Sequence, residues 1–323
     1  QELLGREDLW ALTGAQFMAD PVTRKFRWLS DNHDAARCPP EAALQCFQMK
    51  AWEAVARFDC DRLRELEVSL YNRGDAGKIS ETAIADLLNQ AQEALDRYAG
   101  NPGNALPELR LAGKARQAQH RWVKEPHQFI LTWSSNGRRD KAMAEYLKLK
   151  IERSDSGNDP RKLQAGAIAE SRVNMLSMAQ LKARVVRADD GSVFIDGVPM
   201  VDQGNKGYCG PATIERILRY FGTEVDQHQL AQMIGAGQGG GINFWRLQEV
   251  MQKDGDRLGV KFKELLRFSD NSVVKELQEY NRFAKKSGLA PVAIPRVFEY
   301  DKVLDMLNPE VYRQFRINNR RRE

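Results

Sequence analysis

Histidine is scarce in this chain, with only His33, His120, His127 and His228 among 323 residues. Cysteine is as rare: Cys38, Cys46, Cys60 and Cys209 form no CxxC pair and match no zinc-type spacing. Those counts exclude a zinc-ribbon or redox dithiol reading, and neither a metal nor any other cofactor is expected. The scattered histidines of the first half read as structural or surface residues; His120 and His127 straddle Pro126 and cannot share a helical face. No window approaches the roughly 18 consecutive apolar residues of a membrane span. The net charge of +5 is mild, and its densest basic run, Arg313, Arg316 and Arg320–Arg322, reads as a solvated helix end. Nucleic acid is therefore not expected as a partner. The glycine-rich Gly235–Gly241 lacks the Lys-Ser/Thr of a phosphate-binding loop and reads as a loop near a cleft.

What is present is an ordinary globular profile, 42% hydrophobic and 29% charged, at a length that suggests about two domains. The first residue is Gln rather than Met. A preceding segment is therefore expected to have been removed, and a cleaved secretory signal would make the protein periplasmic or extracellular. The thiols leave the compartment open: two of Cys38, Cys46 and Cys60 could pair, or all three stay free.

Residues 1–153 predict an α+β domain of unassigned role. Leu9, Trp10, Leu12 and Phe17 belong to a helical lead-in, and short alternating runs between Phe26 and Tyr71 predict an antiparallel sheet with one wet face. Trp52, Val55 and Phe58 are its expected core. The Arg73-Gly74-Asp75 triplet, flanked by Asn and Gly, reads as a structural turn rather than an adhesion motif. Ser80 caps a helix whose stripe runs from Ile84 to Tyr98 and which Gly100 ends. Asn101–Pro107 reads as a connector, and three further strands are expected around 116–123, 129–134 and 142–151. Residues 154–165 form the expected linker, and 166–323 the second domain. Within it are expected a helix over 165–179, a hairpin turning at Asp189-Asp190-Gly191, helices at 225–234, 243–252 and 272–286, a strand at 260–265 and a charged helix over 300–316.

The informative stretch is Val198–Gly222, VPMVDQGNKGYCGPATIERILRYFG. An extended run and a polar Gly-rich turn lead to Cys209, the first residue of an amphipathic helix (209–221) with Ala212, Ile214, Ile217, Leu218 and Phe221 as its apolar positions. Pro211 is tolerated because it falls in the first turn. A thiol there meets free N–H groups and the positive end of the helix dipole, which favours the nucleophilic thiolate. Gln203, six residues earlier, is positioned to donate a hydrogen bond to a developing oxyanion, with the Cys209 N–H as second donor.

Gln-Gly, six residues, Cys at a helix start, then small Ala212: this resembles the nucleophile signature of papain-like cysteine peptidases. The CGPA variant is most similar to the bacterial family that trims double-glycine leaders from bacteriocins, and to its peptidase-like relatives. The resemblance covers about residues 198–250. It implies a peptide or protein substrate, and hydrolysis through a thioester at Cys209 with Gln203 steadying the oxyanion. It also implies a catalytic His on a later strand, with an Asp or Asn partner. That His is missing: His228 lies on the next helix, in QHQLAQ, and reads as a surface residue. Three explanations stand open: a peptidase domain that is C-terminally incomplete, a pseudopeptidase that binds peptide without cutting it, or a base supplied by an upstream histidine. An amidase of the transglutaminase-like or NlpC type also starts a helix with Cys, but Gln203 argues for the peptidase branch.

Overall fold

The computed structural model describes residues 3–110, 115–136, 143–154, 176–223, 225–236, 242–255, 270–295 and 303–319. Two compact units are resolved, Gln1–Phe262 and Lys263–Glu323. Helix and sheet are both well represented, in keeping with the α+β expectation. The expected linker beyond Ser154, most of the 165–179 helix, the 260–265 strand and most of the 235–241 loop lie outside the described residues.

Unit 1 is built on an eight-stranded sheet. Its strands are β1 (Arg27–Trp28), β2 (Ala35–Cys38), β5 (Glu53–Asp59), β6 (Arg62–Asn72), β7 (Asn104–Arg110), β8 (Ala115–Lys124), β9 (His127–Asn136) and β10 (Met143–Arg153), in the order β1-β2-β5-β6-β10-β9-β8-β7. Every neighbouring pair is antiparallel. A small hairpin, β3 (Gln45–Cys46) and β4 (Met49–Lys50), stands apart from it. Cys60 and Asp61 close the β5–β6 hairpin with φ of 48° and 59°, the left-handed pair that a two-residue turn requires. Strand β7 replaces the expected connector at 101–107. Pro107 is accommodated because β7 is an edge strand and its register with β8 shifts between Leu106 and Leu109.

Strict alternation gives the sheet two unlike faces. One carries Ala54, Ala56, Phe58, Leu66, Val68, Trp122, Phe129, Leu131, Leu147, Leu149 and Ile151, all buried. Onto it pack the lead-in residues Leu9, Trp10, Leu12 and Phe17, the helix α1 (Gly14–Ala19) and the long helix α3 (Glu81–Ala99), which contributes Ala91 and Leu95. The Ser80 hydroxyl accepts from the Ala83 N–H, and Gly100 ends α3 in the left-handed conformation. Phe58 is core as expected. Trp52 and Val55 are only half-buried, because Trp52 lies at the strand's edge beneath Lys50 and Val55 falls on the other face, between Glu53 and Arg57.

That other face is polar: Glu53, Glu65, Ser69, Gln117, Gln119, Thr132, Ser134, Lys148 and Glu152. The expectation that it is wet is corrected, since these nine are buried and Val55, Arg57, Glu67 and Lys150 beside them are half-buried. The helices α5 (Cys209–Tyr220) and α6 (Gln227–Ile234) cover it, and α7 (Phe244–Asp254) completes their own apolar cluster of Tyr208, Leu218, Leu230, Met233, Ile234, Val250 and Met251. Cover and sheet are joined by charge. Lys148 Nζ lies 2.7 Å from Asp226 Oδ2, Gln229 donates to Gln117 at 2.7 Å, and Arg57 Nη2 lies 3.9 Å from Glu215. Before α5, the helix α4 (Met178–Ala183) leads into the hairpin β11 (Val185–Arg187) and β12 (Val193–Ile195), turning through the expected Asp-Asp-Gly.

Unit 2 pairs the helices α8 (Asp270–Lys286) and α9 (Pro309–Asn319) around Val273, Leu277, Tyr280, Ala284, Leu307 and Phe315.

Candidate active site

The turn 202–208 and the start of α5 form the candidate site. Asp202 Oδ1 accepts the Gly204 N–H at 2.8 Å, opening the turn. Gly204 has φ of 58°, and a Cβ there would stand 2.6 Å from Arg37 Nη2, so close approach and backbone conformation both demand glycine. Tyr208 occupies the N-cap with its ring buried, and Cys209 follows as the first helical residue. Pro211 sits in the first turn, and Thr213 Oγ1 donates to the Cys209 carbonyl at 2.7 Å. Gly210 lies flush against Ile242, which any Cβ there would strike.

Cys209 is exposed, whereas Gln203 is half-buried and its carbonyl accepts from Lys206 Nζ at 3.4 Å. No hydrogen bond joins the Gln203 and Cys209 side chains. The other cysteines are also free thiols: Cys60 is exposed, Cys38 is buried and its thiol is pushed up by burial, and burial pushes the Cys46 thiol up to about 12.

Beneath the turn lies a group of charges that spacing along the chain did not reveal. Arg37 on β2 contacts Glu53 at 2.9 Å and Asp202 at 2.6 Å. Lys206, whose side chain is 0% exposed, contacts Glu53 at 2.9 Å and Asp75 at 3.5 Å. Burial alone would raise the pKa of Glu53, but the hydrogen bond with His228 and the charges of Lys206 and Arg37 hold it well below the ordinary carboxylate range. The Arg-Gly-Asp triplet is part of the same support. Arg73 pairs with Glu145 at 2.7 Å, Gly74 admits the Lys206 stem (a Cβ would stand 2.8 Å from its own Cβ), and Asp75 accepts from Asn72. Its reading as a structural turn is that of the short helix α2 (Arg73–Ala76).

His228 corrects the surface expectation. It is 4% exposed, its Nε2 lies 3.5 Å from Glu53 Oε1, its ring meets the Tyr208 ring edge-on at 5.7 Å, and its buried Nδ1 has no partner. The upstream histidines are engaged elsewhere. His127 accepts from Trp10 Nε1 and contacts the Leu4 carbonyl, His120 pairs with Gln92, and His33 stacks on Trp28. Burial lowers the pKa of both His120 and His127. A cavity of about 20 Å³, lined by Arg37, Glu53, Asp202, Asp226 and His228 among others, adjoins the charged group. It has room for about one water molecule.

Among the described residues no three His, Cys, Asp or Glu side chains are grouped to hold a metal ion, and no helix is long and apolar enough to cross a membrane. No curated protein and no solved structure matches the chain. Residues 195–299, about a third of the chain, match the model of the Peptidase_C39 like family, so the exposed Cys209 and the turn that carries Gln203 stand inside a cysteine-peptidase-like segment.

Proposed function

We propose that this chain is a cysteine peptidase-like protein that opens peptide bonds through Cys209, with Gln203 and the Cys209 N–H as oxyanion donors. One observation carries the reading: an exposed thiol at the first residue of α5, in a family-matched segment, on a turn braced by buried charges. The thiolate would attack the peptide carbonyl, forming a C–S bond and a tetrahedral oxyanion. Collapse would expel the amine, which takes up a proton, and water would then cleave the thioester. Residues 166–323, which carry the turn, are the proposed peptidase-like part, and a peptide or protein is the proposed substrate.

At pH 6 iodoacetamide should alkylate Cys209 ahead of Cys60, the other exposed thiol, and leave Cys38 and Cys46 intact. Gln203→Ala should lower peptide turnover by roughly 10²–10³ without changing the thermal melt. Turnover that survives the substitution removes Gln203 from the mechanism.

A second reading is favoured by His228, the one histidine of this sequence beyond Cys209, which is held by Glu53 below the turn. In that reading the segment binds peptide without cutting it. Recovery of intact peptide from a saturable complex, with no alkylation preference for Cys209, would support it over hydrolysis.

A further inference from the structure

The turn that holds Gln203 and Cys209 is tied to the N-terminal sheet at two points that share one carboxylate, Glu53. Glu53 reaches Lys206 directly at 2.9 Å, between the two proposed catalytic residues. Through Arg37, which contacts Glu53 at 2.9 Å and Asp202 at 2.6 Å, it also holds the start of the turn. Lys206 passes the restraint on: its Nζ donates to the Gln203 carbonyl at 3.4 Å, and its stem is fitted against Gly74. His228 adds a third contact to the same carboxylate from α6, at 3.5 Å. A fully buried lysine in a polar turn is costly unless its charge is met, and here Glu53 and Asp75 meet it.

We propose that Glu53 is a positioning residue of the Cys209 site, setting the separation of Gln203 from Cys209 through Lys206 and Arg37. This assigns the N-terminal sheet a part in the site: its polar face is the template on which the oxyanion turn is shaped. The inference rests on the reading of Cys209 as a nucleophile, and its test separates the two.

Two reagents are compared on the full chain, with modification of each cysteine followed by mass spectrometry. Iodoacetamide needs only the thiolate: a C–S bond forms and iodide leaves. Acetylation by p-nitrophenyl acetate is in addition accelerated by oxyanion donors, because the thiolate attacks a carbonyl, forms a thioester and expels p-nitrophenolate. In Glu53→Gln and in Lys206→Met, acetylation of Cys209 should fall by about 10²-fold, the scale of a lost oxyanion donor, while its alkylation changes by less than about threefold. Cys60, on the β5–β6 turn, is the internal control and should react as in the wild type. Where a single variant loses its cooperative melt, Glu53→Gln/Lys206→Met removes both charges together, and the same split is expected.

Both rates unchanged, or both falling in parallel, would overturn the positioning role. A wild-type Cys209 that reacts no faster than Cys60 with either reagent would overturn the nucleophile reading, and the positioning role with it.

Discussion

Lys148→Met tests whether charge pairing holds the helical cover to the polar face of the sheet. Lys148 Nζ lies 2.7 Å from Asp226 Oδ2 and 3.4 Å from Glu67 Oε2, with side-chain exposures of only 10%, 12% and 18%. Asp226 is also the N-cap of α6, accepting the His228 N–H at 2.6 Å. Removing the ammonium leaves both carboxylates without the cation they share. Breaking a buried pair costs roughly 3–5 kcal/mol, and partial water access places this one near the lower end. At about 2–4 °C per kcal/mol for a unit of this size, the melt should fall by about 6–12 °C. Lys148→Met/Asp226→Asn should recover part of the loss, because Asn still caps the helix and only the more exposed Glu67 carboxylate is left without the ammonium.

The pH dependence has a defined sign. Although burial opposes it, Lys148 holds the Asp226 carboxyl well below its ordinary pKa. The pair's stabilisation is thus complete above the unfolded value of about 3.9 and is lost as pH falls through the depressed one. Without Lys148 the largest pull that holds Asp226 ionised is gone and its folded-state pKa rises, so acidification costs the variant less stability than the wild type. The stability gap, measured by denaturant unfolding from pH 7 to 4, should therefore narrow on acidification. A gap under about 1 kcal/mol at pH 7, or one that widens toward pH 4, refutes the charge-joined interface.

Two further substitutions probe the opposite face. Gly103→Ala drives a Cβ into the Trp122 indole, which is pinned by its Nε1–H donated to Asp96 at 2.6 Å; a loss of about 1–3 kcal/mol in denaturant unfolding is expected. Ser80→Ala removes the cap of α3 and should cost about 1 kcal/mol, with Ser80→Asp restoring most of it, as read from the thermal melt.

What was legible in the sequence follows the physics of each element. Helix α3 announces itself because Ser80, the apolar stripe and Gly100 are local signals, independent of the rest of the chain. The Cys209 helix start is legible for the same reason. Strand β7 was not, since Pro107 reads as a breaker unless its place at the sheet edge is known. The error over the wet face goes deeper. QHQLAQ, polar on nearly every side, reads as exposed, yet all eight residues of α6 are buried. Alternation reveals that a strand has a polar face, but not that a polar helix will cover it. Glu53 is 153 positions before Lys206, and no pattern within a window could pair them.

That burial of polar on polar bears on how the site is held. Two apolar surfaces can slide by a fraction of a side chain and lose little, because their attraction has no direction. A surface matched by Arg37–Asp202 at 2.6 Å, Lys206–Glu53 at 2.9 Å and Lys148–Asp226 at 2.7 Å tolerates no such shift, since each displaced ion would be left desolvated and unpaired. The contacts on strands β2, β5 and β10 therefore specify one register for the turn and for α6. In the proposed role of Cys209 as nucleophile, donors that meet an oxyanion within a few tenths of an ångström would need that kind of fixity. A core of methyl groups alone would not supply it.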